Sequence, residues 1–200
     1  MGKVDERRAI LRDKLIDIAE ATITSDGLQS LRARDLATKA GCAVGAIYNV
    51  FGDLNDLVLA VNARTFHSLG AAVASELAEA PADATAQLVS MAQAYHHFAA
   101  ENTNRWRALF DVERPVGEDA PAWYLTEMGR LFRYISTPLG VIFPDLDAEK
   151  NALLTRGLFS SVHGIVLLGL DDASAGVPSG NIDDMIALIL KQITGSPKQI

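Results

Sequence analysis

The sequence predicts an all-α protein, and three observations carry that prediction. Apolar residues recur every three or four positions along nearly the whole chain. No stretch keeps the period of two that a half-buried strand requires, and hairpin-type turn pairs are missing apart from Asp26-Gly27. With 200 residues, 49% hydrophobic and 22% charged, the chain can bury a sizeable core as one or two compact units.

Each element follows from its own pattern. A first helix is expected from about Asp5 to Ser25, with Ile16, Ala19 and Ile23 on one face and Gly27 as its stop. Two very short helices follow, at about 33–39 and 44–50. A long helix starts near Leu54, where Leu57, Val58, Val61, Thr65, Leu69, Val73 and Leu77 keep the three/four spacing as far as Ala80-Pro81. Beyond Pro81, longer and more apolar helices are expected near 83–101, 103–112, 121–143, 147–170 and 181–194, about nine in all. Polar, Pro- and Gly-rich breaks separate them at 114–121, 143–145 and 171–181. Pro138 falls inside the 121–143 pattern and is expected to kink it. The chain is expected to divide once, at the start of the long fourth helix, into residues 1–53 with their short helices and residues 54–200 with longer, more apolar ones.

Charge and cysteine content exclude several classes. The net charge is −7, but it is unevenly spread: residues 1–41 carry eight Lys and Arg against seven carboxylates, and the rest carry ten against eighteen. A near-neutral head on an acidic body permits a local basic patch. Cys42 is the only cysteine, so neither an internal disulfide nor a paired-Cys zinc site can form. The charged N-terminus MGKVDERRAI lacks the apolar run of a signal peptide. The longest apolar run, Val162 to Leu170, contains His163 and is far shorter than the roughly 20 residues that span a bilayer. These features predict a cytoplasmic protein with no membrane partner and no cofactor.

GCAVGAIYNVF, residues 41–51, is unusual for a helix because small residues stand where a core helix would carry Leu or Ile. A helix, a tight turn at Gly41 and a second short helix make the layout of a helix-turn-helix, whose second helix enters the major groove of DNA. Ala43, Val44, Gly45 and Ala46 then lie nearest phosphates and base edges, with Tyr48 and Asn49 projecting at the helix end. Leu36, Ala37, Cys42, Ile47 and Phe51 have the spacing to form a small core with Ile16, Ala19 and Ile23. Cys42 occupies an inward position and reads as a small apolar residue rather than a redox sensor.

Residues 7–60 resemble the TetR family of transcriptional regulators. The resemblance rests on Ile16, Ala19, Gly27, Leu31, Leu36-Ala37, Ala40-Gly41, Gly45, Ile47-Tyr48, Phe51 and Leu57 at the family's spacing. The sequence departs from the family pattern at Arg32 and Ala43, where Ser or Thr helix caps are frequent, at Val50 for a frequent His, and at Leu54 for a frequent Lys. The missing caps cost each short helix about 1 kcal/mol. The C-terminal half is similar to a TetR subgroup marked by a Trp with His-Gly four residues later; here Phe159 replaces the Trp before His163-Gly164, with RWRALFD upstream at 105–111. The resemblance implies a homodimer that binds a pseudo-palindromic double-stranded operator and a small ligand.

Aromatic residues cluster between 95 and 163. Met91, Tyr95, Phe98, Trp106, Phe110, Trp123, Tyr124, Met128, Phe132 and Phe159 are expected to line a pocket for a small apolar or aromatic ligand, with His163 as its polar handle. The last two helices are apolar on more than one face, as a helix packed against a second subunit would be. Leu158, Val162, Ile165, Leu168, Ile186, Ile189 and Ile193 are the expected dimer contacts, with Gly157, Ser160, Ser161 and Gly164 allowing close approach.

Other classes fare less well. His96 and His97 are adjacent, so on a helix they point about 100° apart and are not expected to share a metal as an i, i+4 pair does. No nucleophile–base order, phosphate loop or dinucleotide fingerprint occurs, so an enzyme is not expected and no catalytic residue is assigned. An alternative is a helical ligand-binding or interaction protein without DNA binding. The favoured expectation is a repressor released from its operator by a small apolar ligand, with Arg7, Arg8, Arg12, Arg34 and Lys39 facing phosphates.

Overall fold

A computed structural model describes residues 2–112, 120–171 and 177–195. These residues are helical or short connections, with no strand among them. Nine α-helices occur among them: α1 (Lys3–Asp26), α2 (Ala33–Ala40), α3 (Val44–Val50), α4 (Leu54–Glu79), α5 (Ala84–Glu101), α6 (Thr103–Ala108), α7 (Ala122–Ile142), α8 (Ala148–Gly169) and α9 (Ile182–Thr194). Residues 113–119 and 172–176, within the breaks expected at 114–121 and 171–181, lie outside the described residues.

The periodicity gave most boundaries to within two residues; α6 is the exception, ending at Ala108 rather than near 112. Its backbone leaves the helix through tight turns, with Leu109 N–H donating to the Trp106 carbonyl and Phe110 N–H to that of Arg107. Two 3-10 turns, Leu28–Ser30 and Ser179–Asn181, carry no periodic signal and were not legible. Pro138 lies inside α7, which continues four residues past it to Ile142. Lacking an N–H, Pro138 leaves the Tyr134 carbonyl without its helical donor.

The chain divides into two compact units: residues 1–67 with 102–124, and residues 68–101 with 125–200. The first unit is organised around α1, whose Leu15, Ile16, Ala19 and Ile23 are buried against Leu36 and Ala37 of α2, Ile47 of α3, and Leu57, Val58 and Val61 of α4. Cys42 is half-buried and packs at the edge of this cluster, as expected for a small apolar side chain. Phe51 closes the cluster below α3, and burying Ile47 completely contributes about 2–3 kcal/mol.

Polar contacts fix α6 onto the same unit. Asn62 Nδ2 donates to the buried Ala108 carbonyl at 2.8 Å. Arg64 bridges Asp17 and Glu20 of α1 at 2.7 and 2.9 Å, and Arg105 reaches the other Glu20 oxygen at 3.1 Å. Asn104 Nδ2 donates to the Thr24 carbonyl near the end of α1. Helices α1, α4 and α6 are thereby joined through side chains far apart in sequence.

The turn between α2 and α3 has a specific chemistry. Gly41 adopts φ 69° and ψ 37°, the left-handed conformation that costs a residue with a Cβ about 1–2 kcal/mol. Its N–H donates to the Thr38 carbonyl while Cys42 N–H donates to that of Ala37, the paired bonds of a Schellman ending. At the other side of the turn, Ala43 has the extended backbone of an N-cap but no side-chain oxygen to offer.

In the second unit, α5 and α9 pack closely, and α8 packs on α9. Buried residues include Leu88, Ala92, Tyr95 and Ala99 of α5, Leu158, Val162, Ile165 and Val166 of α8, and Ile182, Ile186 and Leu190 of α9. Helices α4 and α8 are each long and apolar enough, by length and composition, to cross a membrane, a test that the buried core helix of a soluble protein also passes. Much of the α4 window is buried within the protein, whereas only 33% of the α8 window is.

Ala43→Ser supplies the missing cap to α3. It is expected to stabilise the protein by about 1 kcal/mol in urea unfolding, with an unchanged m-value.

Candidate nucleic-acid interface and ligand groove

Helix α3 is too short to persist alone and is held by one buried face. Ile47 is 0% exposed, while Ala43, Val44, Gly45, Tyr48 and Asn49 are exposed, Tyr48 by 47%. Ala46 is half-buried at the edge between the two faces. A Cβ built at Gly45 would meet nothing within 4 Å, so the chain's own packing places no demand for glycine there. The small residues therefore form an open surface.

The basic side chains expected near phosphates are also exposed: Arg7, Arg8 and Arg12 on α1, Arg34 and Lys39 on α2. The Arg12 guanidinium sits 5.5 Å from the Phe51 ring centre, which holds its charge beside the C-terminal end of α3. Lys39 Nζ donates to Thr22 Oγ1 at 3.2 Å.

The aromatic cluster expected from sequence separates into two groups. Trp106, Phe110, Trp123 and Tyr124 belong to the first unit. Trp106 is fully buried with Phe110 edge-on at 5.7 Å, and the buried Tyr124 packs against Phe66. Phe110 and Trp123 are about half exposed.

The rest of the set lies in the second unit. An open groove of about 1130 Å³ runs along α7 and α8, with Met128, Phe132 and Phe159 on its wall beside Leu125 and Leu146. Arg133, Asn151, Thr155 and Arg156 add polar groups to the same groove. Met91, Phe98, Tyr95 and His163 do not line it. Met91 and Phe98 are buried on α5, and the half-buried His163 touches the groove wall through Phe159. Its ring stacks on Phe159 at 5.6 Å and 20°, and its Nδ1 lies 2.8 Å from the Tyr95 hydroxyl. Phe159 in turn meets Phe132 edge-on at 5.2 Å. Burial lowers the His163 pKa below the usual imidazole value, which favours the neutral ring at pH 7.

The expected dimer residues need correction in their helical phase. Leu158, Val162, Ile165 and Ile186 are buried within their own unit and offer no surface to a second subunit. Ile189 is half-buried, while Leu168 and Ile193 are exposed, Leu168 by 47%. The outward stripe of α8 runs through Leu153, Gly157, Ser160, Ser161, Leu167 and Leu168, and Leu188 is 61% exposed on α9. Both faces of α8 are apolar or small, so composition could not tell which one met its own core.

A second correction concerns His96 and His97, expected to diverge. Both reach Asp183 in the first turn of α9: His96 Nδ1 lies 2.8 Å from one carboxylate oxygen and His97 Nε2 2.9 Å from the other. The near nitrogen of one ring and the far nitrogen of the next close the angle between adjacent positions. Burial raises the Asp183 pKa, but hydrogen bonds from His96 and His97 outweigh it and leave the carboxyl below its ordinary value.

An all-helical chain with a tight helix–turn–helix and a bared, small-residue second helix has the architecture of a helix-turn-helix regulator. A family model described as the tetracyclin repressor-like C-terminal domain matches residues 88–193, and the chain belongs to the TetR family of DNA-binding transcriptional regulators. An uncharacterised HTH-type transcriptional regulator of Mycobacterium tuberculosis is 27% identical over 159 residues, which covers 78% of this chain and 69% of that protein. A protein of unknown function from Rhodococcus sp. RHA1 shares the fold with a TM-score of 0.73 at 22% identity, covering 93% of this chain and 96% of its own. The crystal structure of RolR in complex with resorcinol shares it at 0.70 and 19% identity, covering 96% of this chain and 91% of its own.

The depressed His163 pKa has a definite sign in stability. The unfolded chain binds the proton more readily than the folded one, so the contribution of the neutral ring is complete above about pH 6.5 and is lost as pH falls through the folded value. Urea midpoints measured from pH 8 to 5 should fall for the wild type and fall less steeply for His163→Gln.

Proposed function

We propose that this chain is a dimeric repressor that reads a pseudo-palindromic operator with two copies of α3 and leaves it when a small, largely apolar ligand enters the α7–α8 groove. The observation that carries the reading is the face of α3: Ile47 is fully buried while Val44, Gly45, Tyr48 and Asn49 stand open around a glycine that internal packing does not require. Small residues let a helix backbone approach base edges, and a phenol and an amide at its end are fitting partners for phosphate and base. Arg7, Arg8, Arg12, Arg34 and Lys39 supply charge for phosphates, and the overall acidity of the chain does not oppose this because only the surface toward DNA matters. Such a regulator works in the cytoplasm, where its operator is.

For the ligand, the support is the groove: an aromatic and thioether wall from Met128, Phe132 and Phe159, with Arg133 and Arg156 among its polar groups. That lining suits an apolar body with one anionic or hydrogen-bonding end. For the dimer, the support is the outward face of α8 and α9, where Leu153, Leu167, Leu168 and Leu188 are exposed around Gly157 and Ser161. To read successive major grooves, the two α3 copies of such a dimer must lie about 34 Å apart, one turn of DNA. Helix α4 begins in the first unit and ends in the second, so it is the continuous element through which ligand and operator binding can be coupled, by about 1–3 kcal/mol.

Selection of bound duplexes from random DNA tests the reading. A two-fold motif is expected, and failure to enrich any sequence at low salt would leave a ligand-binding protein without DNA function. Gly45→Ala separates fold from function: chemical unfolding should show a gain of about 0.5–1 kcal/mol, while affinity for the selected duplex should drop about tenfold. Leu188→Arg should convert the dimer to monomer in sedimentation while the helical circular dichroism is retained.

A further inference from the structure

We propose that His96, His97 and Asp183 form a binding site for a divalent transition-metal ion of the zinc class, joining α5 to the first turn of α9. One donor atom from each residue can be chosen so that all lie within 4.8 Å of one another, and small side-chain rotations would bring them to the roughly 3.3 Å that separates ligands around a tetrahedral ion with bonds of about 2.0 Å. The two imidazoles present different nitrogens to the same point, with ring centres 5.3 Å apart and planes at 48°, so neither ring blocks the other.

The frame behind the cluster is rigid. Helix α5 packs closely on α9, and Ile182, next to Asp183, is buried, as is Tyr95, next to His96. His96 is half-buried and His97 exposed, so an ion can enter from solvent, and water can fill the remaining coordination position. Two imidazoles and one carboxylate suit Zn²⁺, Ni²⁺ or Cu²⁺ and disfavour Mg²⁺ and Ca²⁺, which take oxygen ligands. Binding displaces the ring protons that now face Asp183 and replaces two hydrogen bonds with three metal–ligand bonds. The ion would fasten the start of α9 to α5, a role beyond ligand and operator binding.

The test is calorimetric titration of untagged, chelator-stripped, full-length protein with Zn²⁺ alone. One ion per chain is expected with a dissociation constant on the order of 10 µM or tighter, and thermal unfolding should move up as free Zn²⁺ rises. His97→Ala, at an exposed position, and Asp183→Asn should each weaken binding about tenfold or more. His67→Ala and Cys42→Ser, which alter groups outside the cluster, should leave it unchanged. Binding weaker than about 100 µM, binding that survives both cluster variants, or binding removed by His67→Ala or Cys42→Ser instead would overturn the proposal.

Discussion

The burial of Ile47 against α1 is the constraint on which the proposed nucleic-acid interface depends. A seven-residue helix has too few internal hydrogen bonds to repay its own nucleation, so α3 exists because the core of the first unit holds one side of it. Leu15, Ile16, Ala19 and Ile23 provide the floor, Phe51 closes the end, and the left-handed Gly41 lets the chain reverse tightly enough for α2 to complete the wall. Because neither short helix has a capping side chain, packing carries the stability that caps would otherwise share.

The polar scaffold around this core has the same logic at longer range. Glu20 receives both Arg64 and Arg105, and Asn62 satisfies the carbonyl at the end of α6. Single exposed ion pairs contribute little, but a shared carboxylate between two arginines fixes the register of three helices at once. The arrangement makes α6, short as it is, part of the unit that carries α3.

Periodicity made the helices legible, since each amphipathic run reports directly on a buried stripe. It also gave much of the core of the first unit, with Ile16, Ala19, Ile23, Leu36, Ala37, Ile47 and Phe51 buried as expected, though it missed Leu15. What it could not give was phase where both faces are apolar, and so Leu158, Val162 and Ile165 were assigned outward although they are core, while Leu153 and Leu188 escaped notice. Nor could it distribute aromatic residues between units: Trp106 and Phe132 look alike in sequence, yet one fills a core and the other faces a groove. The Glu20 network and the meeting of His96 and His97 with Asp183 join residues 44 to 87 positions apart, a distance at which local patterns are silent.

The separation of α3 into a held face and a bare one has a consequence for how such a molecule diversifies. Positions 44, 45, 48 and 49 take no part in the packing at Ile47, so exchanges there leave the foundation of the domain intact. Copies of this scaffold can acquire new addresses through a few surface substitutions, without a compensating repair in the interior.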